Sequence, residues 1–159
     1  MNKMFWPEFI KALEVNVVAA TGCTEPISLA YASAVATRAL GRQPEHIEAK
    51  ASPNLLKNGM GVTVPGTGMV GMAIAAAVGA TGGDPEGGLN VLGRLTAEQI
   101  EEGKRMLQEK RVSIGLADRL DNLYSEAKVM AGDDWVRVCI LDHHTNVILI
   151  EKNGEVLFE

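Results

Sequence analysis

From Met69 to Ala80 the chain carries no charged residue and little bulk: Gly71, Ala73, Ala75, Ala76, Ala77, Gly79 and Ala80 alternate with methionine, valine and isoleucine. This run is too short to cross a bilayer, which takes about 20 residues, and too apolar to lie in water. It predicts a helix over Met69–Val78 whose small side chains pack closely against another helix or let backbone approach a ligand. The rest of the fold must cover that helix. A chain of 159 residues can do so, since at this length roughly 70% of the surface of the unfolded chain is buried on folding and no staples are needed. Seventeen glycines and only 4% aromatic residues say that close backbone packing stands in for aromatic anchors.

Periodicity places a short helix at Pro7–Leu13 and a longer one from about Thr24 to Leu40, ended by Gly41. Thr96-Ala97-Glu98-Gln99 reads as a capping box, with acids in the first turn and Lys104, Arg105 and Lys110 later, and opens a helix over Ala97–Glu109. Short β runs lie at Ile47–Ala51, Val62–Val64, Val112–Leu116, Leu123–Val129, Trp135–Leu141, Asn146–Lys152 and Glu155–Phe158, with Asn153-Gly154 as a hairpin turn. Gly82 to Gly88 reads as a loop. Helices dominate the first half and strands the second, without the regular alternation a doubly wound parallel sheet requires. The expectation is a single α+β domain over 1–159: a helix-rich N-terminal half with small-residue helices, then a mainly antiparallel sheet. Its last strand ends with the chain, so the architecture is expected to be part of a longer one.

Acidic residues outnumber basic ones 20 to 15, a net charge of -5, and no Lys/Arg cluster offers the positive groove a nucleic acid needs. The stretch Met1–Glu8 has no basic segment leading into an apolar one, so no secretory signal is read there and a cytoplasmic protein without membrane contact is expected. Cys23 and Cys139 are too few and too far apart for a disulfide framework.

Four segments can carry chemistry. Thr21-Gly22-Cys23-Thr24-Glu25-Pro26 sits where a loop turns into a helix, with Thr24 as a candidate cap. A thiol there meets the positive end of the helix dipole, expected to lower its pKa and favour thiolate, so Cys23 can be a nucleophile, a base or a soft ligand. It can equally be a small buried residue in a tight turn. In Ser52-Pro53-Asn54-Leu55-Leu56-Lys57-Asn58-Gly59, Asn54, Lys57 and Asn58 can together hold a carboxylate, although Ser-Pro-Asn is also ordinary turn chemistry and Lys57 an ordinary solvated cation. Nothing around Lys57 specifies the phosphate cup that pyridoxal phosphate needs.

Gly66-Thr67-Gly68-Met69-Val70-Gly71 is a literal G-x-G-x-x-G, but dinucleotide binding also needs a second strand closed by an acid about 20 residues on. Asp84 and Glu86 have that distance and lie in a Gly-Pro loop, which leaves only a backbone site for a carboxylate or phosphate. His143 and His144 are adjacent, so on extended chain they point apart and do not chelate one metal; one exposed and one packed imidazole is expected. Cys139 falls mid-strand and reads as core, and no metal site is read in the chain.

Taken together and in order, Gly22-Cys23-Thr24-Glu25-Pro26, Ser52-Pro53-Asn54 with Lys57-Asn58-Gly59, Val64-Pro65-Gly66-Thr67-Gly68, Gly82-Gly83-Asp84-Pro85 and His144-Thr145-Asn146 resemble the L-cysteine desulfidase family, the serine dehydratase alpha-chain-like or UPF0597-type group. The resemblance implies the N-terminal portion of an iron-sulfur lyase that removes sulfide from L-cysteine, or water from L-serine, to leave pyruvate and ammonia. In such a lyase an open iron of a four-iron cluster serves as Lewis acid. It implies Cys23 as the catalytic proton acceptor and Ser52, Asn54, Lys57, Asn58, Thr67 and Gly68 as the substrate-binding set.

The family's cluster cysteines lie in a C-terminal half absent from these 159 residues. The chain alone is therefore expected to hold no cluster, to be inactive, to need that half as partner and to show an exposed apolar patch where it docks. Homo-oligomers are also compatible with this picture. The competing readings are a non-enzymatic module that binds serine or cysteine without transforming it, and a nucleotide-binding domain built on the Gly-rich turn.

Overall fold

The computed structural model describes residues 5–17, 19, 20 and 22–159. Met1 to Met4 of the N-terminal stretch and Thr21, which opens the cysteine motif, lie outside them. Helix α1 (Trp6–Asn16) is followed by α2 (Thr24–Leu40), β1 (His46–Ala51), α3 (Pro53–Gly59) and a two-residue-per-strand hairpin of β2 (Thr63–Val64) and β3 (Met69–Val70). After α4 (Met72–Gly82), a 3-10 segment (Pro85–Asn90) and α5 (Ala97–Gln108) come β4 (Val112–Leu116), β5 (Tyr124–Ala131), β6 (Asp134–Leu141), β7 (Val147–Lys152) and β8 (Glu155–Phe158).

The six long strands form one sheet in the order β4-β1-β5-β6-β7-β8; β1 and β4 run parallel and every other pair antiparallel. This is the α+β architecture expected, with one difference. The β1–β4 pair is parallel because the intervening α3, hairpin, α4 and α5 act together as a long crossover. Helices α2 and α4 cover one face of the sheet. Strand β1 shows why: Ile47, Ala49 and Ala51 are buried against the helices, whereas His46, Glu48 and Lys50 point to the uncovered face.

The small-residue run does what its composition predicts, starting three residues later because Met69 and Val70 are spent on β3. A Cβ added at Gly79 would lie 2.2 Å from the Ala30 carbonyl oxygen, so only glycine lets α4 cross α2 this closely. Around that crossing Ile27, Ala30, Ala34, Ile74, Ala75 and Val78 form one core cluster, and a second joins α2 and β1 to Val129, Val136, Val138 and Ile140. The capping box is present in full: Thr96 Oγ1 accepts from Gln99 N at 3.3 Å, and Gln99 Oε1 accepts from Thr96 N at 2.9 Å.

Three local readings change. Cys23, not Thr24, is the N-cap of α2, and neither side chain caps it by a hydrogen bond. Pro53–Gly59 is a helix rather than a turn, with Pro53 in its first turn where the missing N–H costs nothing. In the Gly66–Gly71 segment, Gly66, Thr67 and Gly68 lie in the turn of the β2–β3 hairpin, Met69 and Val70 are β3 and Gly71 caps α4; the hairpin is antiparallel and outside the main sheet, so the βαβ unit of a dinucleotide fold is not formed there. Among the described residues no helix is long and apolar enough to cross a membrane.

Candidate functional site

Gly22 turns the chain into α2 with φ +88, and a Cβ there would meet Pro65 Cγ at 2.7 Å. The cysteine loop is thus pressed onto the β2–β3 hairpin, and Cys23 is left exposed at the helix start. Within the first turn Glu25 faces back, and the Cys23 thiol donates to Glu25 Oε2 at 2.7 Å. Beside them Glu25, Asn54, Leu55, Asn58, Asn122, Leu123 and His144 line a cleft of about 240 Å³. Segments separated by up to 120 residues in sequence therefore meet at the N-terminal end of α2. A second groove of about 550 Å³ adjoins it, bordered by Val15, Ala20, Thr24, Leu89, His143, His144 and Thr145.

The electrostatics of the pair differ from the sequence expectation. The Glu25 carboxylate accepting its proton, and partial burial, raise the Cys23 thiol above its ordinary value and outweigh the backbone N–H groups of Thr24 and Glu25 that lower it. At neutral pH Cys23 is a thiol, not the thiolate that the helix dipole alone predicts. The same hydrogen bond holds Glu25 below the usual carboxylate range, against the cost of burial, with further help from its own backbone N–H, His144 and the Asn58 amide. Burial pushes His144 down, opposed by Glu25, which leaves a neutral imidazole beside the carboxylate.

Of the residues expected to bind substrate, Asn54 and Asn58 line the cleft. Ser52, Lys57, Thr67 and Gly68 do not. Ser52 is fully buried; its hydroxyl donates to Asn122 O at 3.2 Å and accepts from Tyr124 N at 3.3 Å, positioning the bend before β5 that carries Asn122. Thr67 Oγ1 donates to Val64 O at 2.8 Å and accepts from Met69 N at 3.0 Å, stapling the hairpin under the cysteine loop. Lys57 is exposed on α3, and Gly68 is exposed in the turn. As expected, His143 is exposed and His144 packed.

Another cavity, of about 580 Å³, lies at the other end of α2, about 25 Å away by helix rise, where Gly82, Gly83 and Pro85 meet Arg38 and Arg42. Both guanidiniums are paired there, with Glu86 and Asp134. The smaller cleft, which adjoins a thiol and a carboxylate, is therefore the candidate site.

Over 151 residues the chain is 62% identical to a UPF0597 protein of Chromobacterium violaceum, covering 95% of this chain and 35% of that one. It is 56% identical over 149 residues to a UPF0597 protein of Actinobacillus pleuropneumoniae (94% and 34%), and 53% identical over 158 residues to one of Yersinia enterocolitica (99% and 36%). The chain belongs to the UPF0597 family. It spans about a third of the length of the curated relatives it matches. No family model matches it, and no solved structure matches it.

In this UPF0597 chain the residues that sequence reasoning left out of the site are Glu25, Asn122 and His144. Two of the three carried a signal. Glu25 stands two places after the cysteine on a first helical turn, and His144 was already part of the family pattern; Asn122 carried none.

The chain's own residues do not fit an iron-sulfur cluster. It has two cysteines; Cys23 opens α2, whereas Cys139 is 4% exposed in β6 and tied to Tyr124 and Glu126. A cluster needs several thiolates at one place. Among the described residues no three His, Cys, Asp or Glu side chains are grouped to hold a metal ion.

Proposed function

We propose that this chain is the substrate-binding and proton-abstracting part of a UPF0597 lyase acting on L-cysteine or L-serine. The observation that carries the reading is the Cys23–Glu25 pair at 2.7 Å on the rim of a cleft sized for a small amino acid and lined by amides. In the cleft the Asn54 and Asn58 amides donate to the substrate carboxylate. The resting thiol first passes its proton to Glu25 Oε2. The thiolate then takes the proton from the α-carbon as the β-substituent leaves with its bonding pair, and the aminoacrylate tautomerises and hydrolyses to pyruvate and ammonia. We assign the acid that receives the leaving group to the remaining region of the protein, together with any iron-sulfur cluster.

The test has two arms. Titrating L-serine or L-cysteine into the 159-residue chain is expected to shift the NMR signals of Asn54, Asn58 and His144. The full-length Yersinia enterocolitica relative, prepared anaerobically, is expected to release pyruvate, and Cys23→Ala at the matching position to abolish it. Absence of shifts at millimolar ligand overturns the substrate site. Shifts without pyruvate from the full-length protein establish the competing reading, a module that binds an amino acid without transforming it.

A further inference from the structure

Helix α1 is out of balance with the rest of the fold. Phe5, Trp6, Phe9, Ile10, Leu13 and Val17 fall on one side of it, within about 140° of arc at 100° per residue. None joins a core cluster: Trp6 is 48% exposed, Phe9 62%, Ile10 50% and Leu13 59%. An isolated helix of 11 residues is marginal in water, and helices of this length are held by burying such a stripe. Val15, on the opposite side of α1, borders the groove that contains His143, His144 and Thr24. The helix thus borders this groove, and its apolar stripe is left open to solvent.

We infer that the α1 stripe is the docking surface for the remaining region of the UPF0597 polypeptide. Two facts choose this occupant. The relatives hold about two thirds of their length outside the matched region, enough chain for a further domain. The helix that bears the stripe also borders, through Val15, a groove that is open to solvent on this chain alone and lies beside Cys23 at the start of α2. The polar side of α1, with Glu8, Lys11 and Glu14, has the wrong charge for an anionic membrane, and a net charge of -5 opposes a second copy. The inference rests on family membership and not on lyase chemistry.

Hydrogen–deuterium exchange tests it, comparing the 159-residue chain with the full-length Yersinia enterocolitica relative, whose match covers 99% of this chain. Amides over 6–16 are expected to exchange at least about tenfold more slowly in the full-length protein. Phe9→Glu with Leu13→Glu at the matching positions is expected to return them to the fast rate while β5 and β6 stay protected. Equal rates in the two proteins overturn the inference. So does slowing in the 159-residue chain that grows with its concentration, which identifies a second copy, or slowing only on phosphatidylcholine–phosphatidylglycerol vesicles, which identifies a membrane. Exchange reads no chemistry, so protection of α1 in a protein that makes no pyruvate leaves the docking standing and removes only the lyase reading.

Discussion

Cys23 and Cys139 are both thiols within reach of a glutamate, and their surroundings assign them opposite roles. At the start of α2, Cys23 is exposed, donates to Glu25 at 2.7 Å and borders a cleft. In β6, Cys139 Sγ lies 3.7 Å from Glu126 Oε2 and 3.2 Å from the Tyr124 hydroxyl, which itself donates to Glu126 at 2.7 Å. Lys50 and Arg137 also reach Glu126, each at 3.7 Å, and Arg137 continues to Glu151 at 2.7 Å. The second carboxylate is therefore fully engaged on the uncovered face of the sheet, whereas the first has one strong partner and open space beside it. A thiol–carboxylate pair is chemistry only where something else can enter.

The largest contrast is reactivity. Iodoacetamide is expected to modify one thiol, Cys23, in the native chain, and Cys139 more slowly by on the order of a thousandfold, since reaching it requires opening the sheet; mass spectrometry of the labelled peptides reads this directly. Comparable labelling of both would remove the distinction. Next in size is stability. Glu126→Ala removes the short acceptor of the Tyr124 hydroxyl and the ion-pair partner of Lys50, while Arg137 keeps Glu151. Both cations are partly solvated, so the loss is expected at about 2 kcal/mol, a fall of roughly 4–8 °C in Tm. Glu25→Ala is expected to cost less than about 0.5 kcal/mol, because its surroundings are open to water. Equal losses in the two variants would mean that Glu25 is as structural as Glu126.

Much of this was legible in the sequence. The α2 boundaries, the capping box of α5, the small-residue crossing and the strand-rich second half followed from period and turn residues. So did the reading of Cys139 as core. The parallel β1–β4 pair was not, because two-residue strands and a short α3 hid the crossover between longer elements. At the site, the segments bearing Cys23, Asn54 and Asn58 were found because loop-to-helix junctions and amide-rich turns leave local marks. Ser52 and Thr67 were assigned to substrate for the same polarity that the fold uses to tie down backbone. The thiol's protonation state was the clearest failure. The dipole is a property of one helix, but the carboxylate that outweighs it acts only once Glu25 has turned back toward Cys23, a rotamer that spacing does not reveal.

That failure supplies a smaller, sharper test of the same contrast. Glu25→Gln keeps an acceptor near the thiol and removes its charge, which lowers the Cys23 pKa and raises the thiolate fraction at pH 7.5. Alkylation of Cys23 is expected to speed up roughly fivefold. A rate that fell or stayed constant would return the helix N-terminus to control of the thiol.

The smallest effect is the pH dependence that Glu25 and His144 confer on stability. Glu25 is held below its ordinary 4.5 in the folded chain, so its contribution is present above that value and is lost as the pH falls through the folded pKa. His144 is held below its ordinary 6.5 by burial, so on acidification the unfolded chain takes up a proton first and stability declines from pH 6.5 downward. Both act on the acid side, in windows separated by their ordinary values. Thermal unfolding from pH 4 to 7 is expected to show a fall of about 1–2 °C beginning near pH 6.5, which His144→Gln flattens while leaving the lower limb in place. Glu25→Gln should flatten the lower limb and, by removing the charge that favours a protonated imidazole, make the upper one slightly steeper. If neither limb responds, the two groups do not sense each other across the cleft, and the site reduces to Cys23, Glu25 and the amides.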